Sequence, residues 1–228
     1  MIRETVGTIF DRAWRAGTQL KLAINKMLAA GIAVAVGLMC AGCLSKPPLR
    51  KESFAFPEGS GRINESGGGV VMEIRQIRVD PPFDTQSFVY RTGEYSYERD
   101  PYAEFMAPPG EILLPVLRTR LEATGACKEL QTEGSALHPN IGAQIEVREL
   151  YGDFRDKTGA AAVLRVSFVL TDAKTRKVVV RKDYRERVAL RSRTAAALMA
   201  SWDEALKRII NAMATDITNT NFDSSRLR

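Results

Sequence analysis

The feature that most constrains the fold is a strict alternation of side-chain polarity that runs between residues 162 and 190. In its first run the apolar side chains all share one face, and they are Ala162, Leu164, Val166, Phe168 and Leu170. The second run, residues 177–190, sets an apolar face against a charged face made of Arg181, Asp183, Arg185 and Arg187. A period of two with a charged outer face is typical of an antiparallel sheet that is solvated on one side.

Other strands are predicted upstream of this pair. Residues 70–79 are rich in β-branched side chains and end at a proline pair, and residues 86–92 and 95–99 flank a turn at Gly93. Residues 143–154 predict a longer strand. Simple alternation there places Ile145, Val147 and Tyr151 on one face and Leu150 and Phe154 on the other.

Two helices complete the predicted fold. Leucines recur at helical spacing after Pro108, and Thr124 and Gly125 predict the end of that helix. Residues 194–219 carry one continuous apolar stripe, formed by Leu198, Trp202, Ala205, Ile209, Met213 and Ile217. Thr194 is placed to cap its start. We therefore predict an α+β fold, a two-layer sandwich in which a mostly antiparallel sheet carries both helices on one face.

The N-terminal region is typical of an export signal. Five basic and two acidic residues precede an uncharged apolar run at 27–39, which is too short to span a bilayer. The sequence Ala41-Gly42-Cys43 resembles a bacterial lipobox, with Cys40 where leucine is usual. On this interpretation residues 1–42 are a lipoprotein signal peptide, and Cys43 carries the lipid, whose acyl chains include palmitate. An ordinary cleaved signal with an unmodified Cys43 is the alternative.

Composition argues against several classes of function. The net charge of +6 is modest, and basic and acidic residues are evenly mixed along the chain. This composition gives no reason to propose nucleic acid as a partner. After the leader and Cys43, Cys127 is the one remaining thiol, and we expect it to be a buried apolar side chain at the start of a strand. His138, the single histidine, lies in a predicted loop. No catalytic, metal-binding or phosphate-loop pattern is present, so we expect no enzyme, no cofactor and no metal site.

The domain organisation follows from these segments. Residues 43–69 are rich in glycine and proline and predict a flexible tether, with an edge strand at 52–56. Residues 70–219 form the predicted folded domain, and residues 220–228 a frayed C-terminal tail.

The order of motifs in the body resembles a known family, the ABC-type transport auxiliary lipoproteins. The matching motifs are Val79-Asp80-Pro81 at the end of one strand, Val89-Tyr90-Arg91 at the end of the next, the aromatic hairpin Tyr95-Ser96-Tyr97, and a leucine-rich helix at 111–121. Met106-Ala107-Pro108 departs from the family pattern, in which a tryptophan often precedes a small residue. The resemblance spans roughly residues 52–219.

This resemblance implies a membrane-anchored accessory role without catalysis. The implied partners are an Mce-domain protein and the other ABC transporter components, in lipid transfer across the periplasm, with homo-oligomer formation left open. The residue after Cys43 is Leu44 and not the aspartate that favours retention at the inner membrane, so lipid attachment at the outer membrane is implied. The alternative is a stand-alone envelope or assembly lipoprotein of similar fold with no transport role.

The candidate partner-binding residues are aromatic side chains around the hairpin: Phe88, Tyr90, Tyr95, Tyr97 and Tyr102. A short hairpin cannot bury this many rings, and tyrosines left at a surface are favoured at protein interfaces. The same residues also fit a small satellite core folded beneath the loop, and the sequence leaves the two readings open.

Overall fold

The computed structural model describes residues 51–57, 70–131, 139–156 and 158–220. Eight strands lie within these residues: β1 Glu52–Phe54, β2 Val71–Val79, β3 Ser87–Arg91, β4 Tyr97–Phe105, β5 Glu129–Gln131, β6 Ile141–Asp153, β7 Ala161–Asp172 and β8 Val178–Ala189. Two helices, α1 Pro109–Ala123 and α2 Ala195–Asn219, complete the described elements. The predicted leader, Cys43, most of the predicted tether, His138 and residues 221–228 lie outside the described residues.

All eight strands belong to one sheet organised around β6. On one side β6 pairs with β7 along its whole length, and β8 adds to β7, both antiparallel. On the other side β6 pairs in parallel with β2 and then, through Gly152 and Asp153, with β3. The remaining strands extend these, because β5 pairs with β2, β4 with β3, and β1 with β4. The sheet is mixed, and its two longest ladders are antiparallel.

The two helices cover one face of this sheet, which confirms the predicted α+β class. Helix α1 packs on β2 and β5, and its buried residues include Leu113, Leu117 and Leu121. Helix α2 packs on β7 and β8, and every residue of its predicted stripe is buried. Burying a stripe of this length on a sheet is the main source of its helical stability, because propensity alone is weak in water.

Both predicted helix boundaries agree with the structure. The Thr194 side chain accepts a hydrogen bond of 3.2 Å from the backbone N–H of Ala197, which caps the start of α2. Helix α1 ends at Thr124 and Gly125, and Gly125 has a φ of 69°. This left-handed conformation is unfavourable for residues with a Cβ atom, so glycine suits a helix end that must turn sharply.

The predicted faces of β6 are wrong beyond Val147. Val147 pairs with Val166, but Glu149 pairs with Arg165, so Arg148 is an extra residue that makes a β-bulge. The bulge shifts the alternation by one position. Leu150 therefore joins Ile145 and Val147 beneath the helices, and Tyr151 lies on the opposite face.

That opposite face, which we call the outer face, is charged as predicted. Its arginines are largely matched by carboxylates on neighbouring strands: Arg165 binds Asp183, and the Arg185 Nε lies 2.6 Å from Glu149 Oε2. Each of these pairs is exposed, so it contributes little to stability. These pairs do, however, determine which arginine side chains of the outer face are left without a carboxylate partner.

A buried ion pair joins the two helices on the inner face. The Arg120 Nη2 atom of α1 lies 2.5 Å from Asp203 Oδ1 of α2, and both side chains are about nine-tenths buried. The same nitrogen donates to the Pro57 carbonyl at 2.7 Å, and Lys207 Nζ lies 2.9 Å from Asp203 Oδ2. Arg120 Nη1 is buried without a hydrogen-bond partner among the described residues.

The short strand β5 begins two residues after Cys127, close to where a strand is predicted to start. Cys127 is buried as expected, and burial raises the pKa of that thiol to about 11. A thiol with so high a pKa is protonated at neutral pH and is a poor nucleophile. Among the described residues, no helix has the length and apolar character needed to cross a bilayer.

Candidate partner-binding surface

The β3–β4 hairpin is closed by a five-residue loop, longer than predicted. Arg91 pairs with Tyr97, and the N–H groups of Thr92 and Gly93 both donate to the Ser96 carbonyl. The Arg91 guanidinium holds the loop from below, donating to the carbonyl of Glu94 at 2.7 Å. Tyr95 therefore lies in the loop and not in the strand, and it is 88% exposed.

Tyr102 lies in a wide bulge of strand β4. Ser87 pairs with Glu104 and Val89 with Arg99, so four residues of β4 oppose a single residue of β3. The Asp100 carboxylate stabilises this bulge by accepting hydrogen bonds from the backbone N–H groups of Tyr102 and Ala103. The bulge leaves the Tyr102 side chain 57% exposed.

Tyr97 is exposed on one side and held firmly on the other. Its ring packs edge-on against Phe83 and Tyr151, with ring centroids 6.1 and 5.6 Å away. The Arg91 guanidinium lies 5.6 Å from the ring centroid. Partial burial raises the pKa of the Tyr97 hydroxyl, so it stays protonated and able to donate a hydrogen bond at neutral pH.

Tyr90 faces inward more than the other three candidate tyrosines. Its ring packs at 4.9 Å on Phe154, and its hydroxyl donates a short hydrogen bond to the Asp100 carboxylate. Burial, followed by this bond to an anionic acceptor, raises the pKa of Tyr90 well above its ordinary value. Its polar tip is thus already satisfied, and Tyr90 supports the bulge that displays Tyr102.

Phe88 does not belong to a surface, and its prediction as a partner-binding residue is wrong. Its side chain is fully buried, with ring centroids of Phe105 and Trp202 at 4.6 and 4.9 Å. Alternation along β3 explains the difference, because Phe88 points beneath the helices into the core. Met106, which is 67% exposed after β4, was in turn not predicted; it directly follows the last core residue of the strand.

We call the three exposed side chains Tyr95, Tyr97 and Tyr102 the hairpin tyrosines. They come from one hairpin whose loop and bulge are each fixed by hydrogen bonds to Arg91 or Asp100. A backbone fixed in this way loses little conformational freedom on binding, which favours the use of its exposed rings in protein contacts. Within the described residues no group of three or more side chains is arranged to hold a metal ion.

Comparison with solved structures shows the same fold in distant proteins. A crystal structure of a protein from Xanthomonas campestris matches with 16% sequence identity and a TM-score of 0.61, covering 72% of this chain and 92% of that one. A crystal structure of an uncharacterized protein matches with 12% identity and a TM-score of 0.60, covering 74% of this chain and 99% of that one.

Comparison with known sequences identifies the family. No curated protein matches the sequence. The family model described as the ABC-type transport auxiliary lipoprotein component matches residues 55–214, which is more than half of the chain. The span includes the hairpin, the whole of α1, helix α2 as far as residue 214, and the whole of β6, β7 and β8. The chain therefore belongs to the ABC-type transport auxiliary lipoprotein family.

Proposed function

We propose that this protein is the membrane-anchored, non-enzymatic accessory component of an ABC transport system that contains an Mce-domain protein. In this proposal the hairpin tyrosines contact the Mce-domain protein and so help lipid to move across the periplasm. The observation that carries the proposal is the display of Tyr95, 88% exposed, on a loop that Arg91 holds in place. A single exposed ring is ordinary, but Tyr97 and Tyr102 of the same hairpin are also exposed, and tyrosine is enriched among the residues that contribute most to protein interfaces.

The electrostatic surroundings of the hairpin suit a specific contact. Glu94 and Arg99 are both exposed beside the tyrosines, so they provide charges of both signs for a polar rim. Tyrosine adds a hydroxyl that can donate across the interface while its ring excludes water. A partner surface with a shallow apolar groove and mixed charges would complement this arrangement.

The anchor is the second part of the proposal. Cys43 carries the lipid at the outer membrane, and since β1 already belongs to the sheet, the tether comprises residues 44–51, with a root-mean-square reach of about 15 Å. This reach lets the domain meet a partner in the periplasm while it remains attached to the membrane. A stand-alone envelope lipoprotein would use the same anchor, so the partner decides between the two functions.

Replacing Cys43 with alanine should abolish lipid attachment. We expect the variant to accumulate as an unprocessed or soluble species, because no thiol remains at the cleavage site for the lipid. Labelling of cells with an acyl-chain probe, followed by immunoprecipitation, measures this. A Cys127→Ala variant serves as the control and should label like the parent. Equal labelling of the Cys43→Ala variant and the parent would show that the lipid is attached elsewhere or is absent.

Removing two hairpin tyrosines should weaken capture of the Mce-domain partner. For Tyr95→Ala/Tyr97→Ala we expect at least about a thirtyfold loss of affinity, because truncating a central aromatic residue typically costs 2 kcal/mol or more. Co-purification from the native membrane, followed by affinity measurement with the purified partner, reports it. Tyr95→Ala alone tests the exposed ring without disturbing the Tyr97 packing.

The matched control removes exposed apolar side chains at a different edge of the sheet. Val178 and Val179 are 51% and 41% exposed on β8, and Val178→Ala/Val179→Ala should bind normally. Full binding by a well-folded tyrosine variant would place the interface elsewhere. Failure of the unmodified protein to capture any Mce-domain partner would favour the stand-alone lipoprotein.

A further inference from the structure

A shallow pocket on the outer face of the sheet has an excess of positive charge. Its volume is about 360 Å³, and its lining includes Arg78, Gln144, Glu146, Arg148, Ser167 and Arg181. We call it the arginine pocket. The three arginines come from β2, β6 and β8, so the tertiary fold and not the local sequence brings them together. Glu146 is the single carboxylate among the lining residues.

Strand register explains how distant arginines face one space. Arg78 pairs with Glu146, which pairs with Ser167, and in the next row Gln144 pairs with Val169, which pairs with Arg181. Residues opposite each other in a ladder share a face, so the two rows make the floor of the pocket. Strands β2 and β8 lie three strand spacings apart, about 14 Å, which places Arg78 and Arg181 on opposite sides of that floor.

Among the side chains that the structure describes, Arg165 and Arg148 are matched by carboxylates, whereas Arg78 and Arg181 of the pocket are not. Arg165 binds Asp183, the carboxylate that neighbours Ser167, and Arg148 Nη2 lies 2.5 Å from Glu146 Oε2. Among the described residues Arg78 and Arg181 form no ion pair and no hydrogen bond. The side chains of Gln144 and Ser167 likewise have no hydrogen-bond partner there, so the floor offers polar donors to a ligand.

We propose that the arginine pocket binds a phosphate group, either as free phosphate or as the head group of a phospholipid. Guanidinium groups bind phosphate oxygens with paired hydrogen bonds, and two of them on opposite sides can hold one anion between them. The Ser167 hydroxyl and the Gln144 amide supply neutral donors from below. The pocket is large enough for a phosphate with an attached glycerol unit. This inference does not depend on the proposed function, because it uses none of the hairpin tyrosines.

The test follows the backbone amide NMR signals of the full chain in a neutral detergent during titration with inorganic phosphate and with glycerol 3-phosphate. We expect saturable shifts at Gln144 and Ser167. Arg78→Gln/Arg181→Gln should weaken binding by about a hundredfold, since a hydrogen bond to a charged group is worth at least about a factor of ten for each arginine. Arg191→Gln, an exposed arginine away from the pocket, should bind like the parent.

A variant that should bind phosphate more tightly, and not more weakly, provides a second test. Glu146→Gln removes the one lining carboxylate and releases Arg148, so we expect binding several times tighter than in the parent. Glu94→Gln, an exposed glutamate on the hairpin, is its control and should leave binding unchanged. Tighter binding of glycerol 3-phosphate than of phosphate, with competition by phosphatidylglycerol vesicles, identifies a lipid head group; equal binding identifies free phosphate. Both results support the proposal. Shifts that do not saturate, or that persist in the double arginine variant, overturn it.

Discussion

Trp202→Ala should lower the free energy of unfolding by about 3–5 kcal/mol, one of the two largest effects we expect from a single substitution in this chain. Trp202 is fully buried at the middle of α2. Its ring centroid lies 4.9 Å from that of Phe88 and 5.5 Å from that of Phe105, and its Nε1–H donates to the Val163 carbonyl at 3.3 Å. Truncation removes the contacts between α2, β3 and β4 at one point, and the surrounding rings can refill the space only in part.

Chemical denaturation and the thermal midpoint measure this effect. For a domain of this size the midpoint should fall on the order of 10 °C. Trp202→Phe keeps most of the ring volume but loses the indole N–H, so its loss should be smaller than that of alanine. Asn211→Ala, exposed on the same helix, should change the midpoint little. A midpoint nearly unchanged in Trp202→Ala would mean that α2 does not pack on the sheet in solution.

Asp203→Leu should destabilise the protein by a similar amount, about 3–5 kcal/mol, for an electrostatic reason. The substitution leaves the Arg120 guanidinium buried between α1 and α2 with the Pro57 carbonyl as its remaining hydrogen-bond acceptor. Arg120 Nη1 already lacks a partner among the described residues, so the site has little capacity to compensate. An unpaired buried charge is far more costly than a lost surface ion pair, because water no longer solvates it.

The double variant Arg120→Met/Asp203→Leu distinguishes this explanation from simple loss of packing. Removing both charges together should restore a free energy of unfolding within about 1 kcal/mol of the parent, or above it. The reason is that the desolvation of a buried ion pair often costs as much free energy as the attraction between its charges contributes. Equilibrium unfolding of the parent, both single variants and the double variant completes the cycle. Additive losses in the double variant would contradict the explanation, since they would show that the two side chains act independently.

The candidate site was predictable only in part. The density of tyrosines around Gly93 predicted exposed rings, since a small hairpin cannot cover them all. Exposure then separated the set: Tyr95 lies in the loop, whereas Phe88 is in the core. That division depends on which face of β3 meets α2, and on a bulge that the Asp100 carboxylate stabilises. The first is decided by contacts with residues far away in the chain, whereas the second is a local hydrogen-bond pattern that the alternation of polarity does not reveal.

What the sequence alone determined is whatever depends on local periodicity. The alternation at 162–170 and 180–189, the stripe from Leu198 to Ile217 and the Thr194 cap each follow from neighbours within a few residues, and each agrees with the structure; an extra residue at Val179 breaks the alternation before Val180. Tertiary structure alone decided the rest. A single extra residue, Arg148, reversed the faces of Leu150 and Tyr151, and the pairing of β2, β6, β7 and β8 gathered Arg78, Arg148 and Arg181 around one pocket. Strand register and bulges are set by the packing of the whole sheet, so no local pattern carries them.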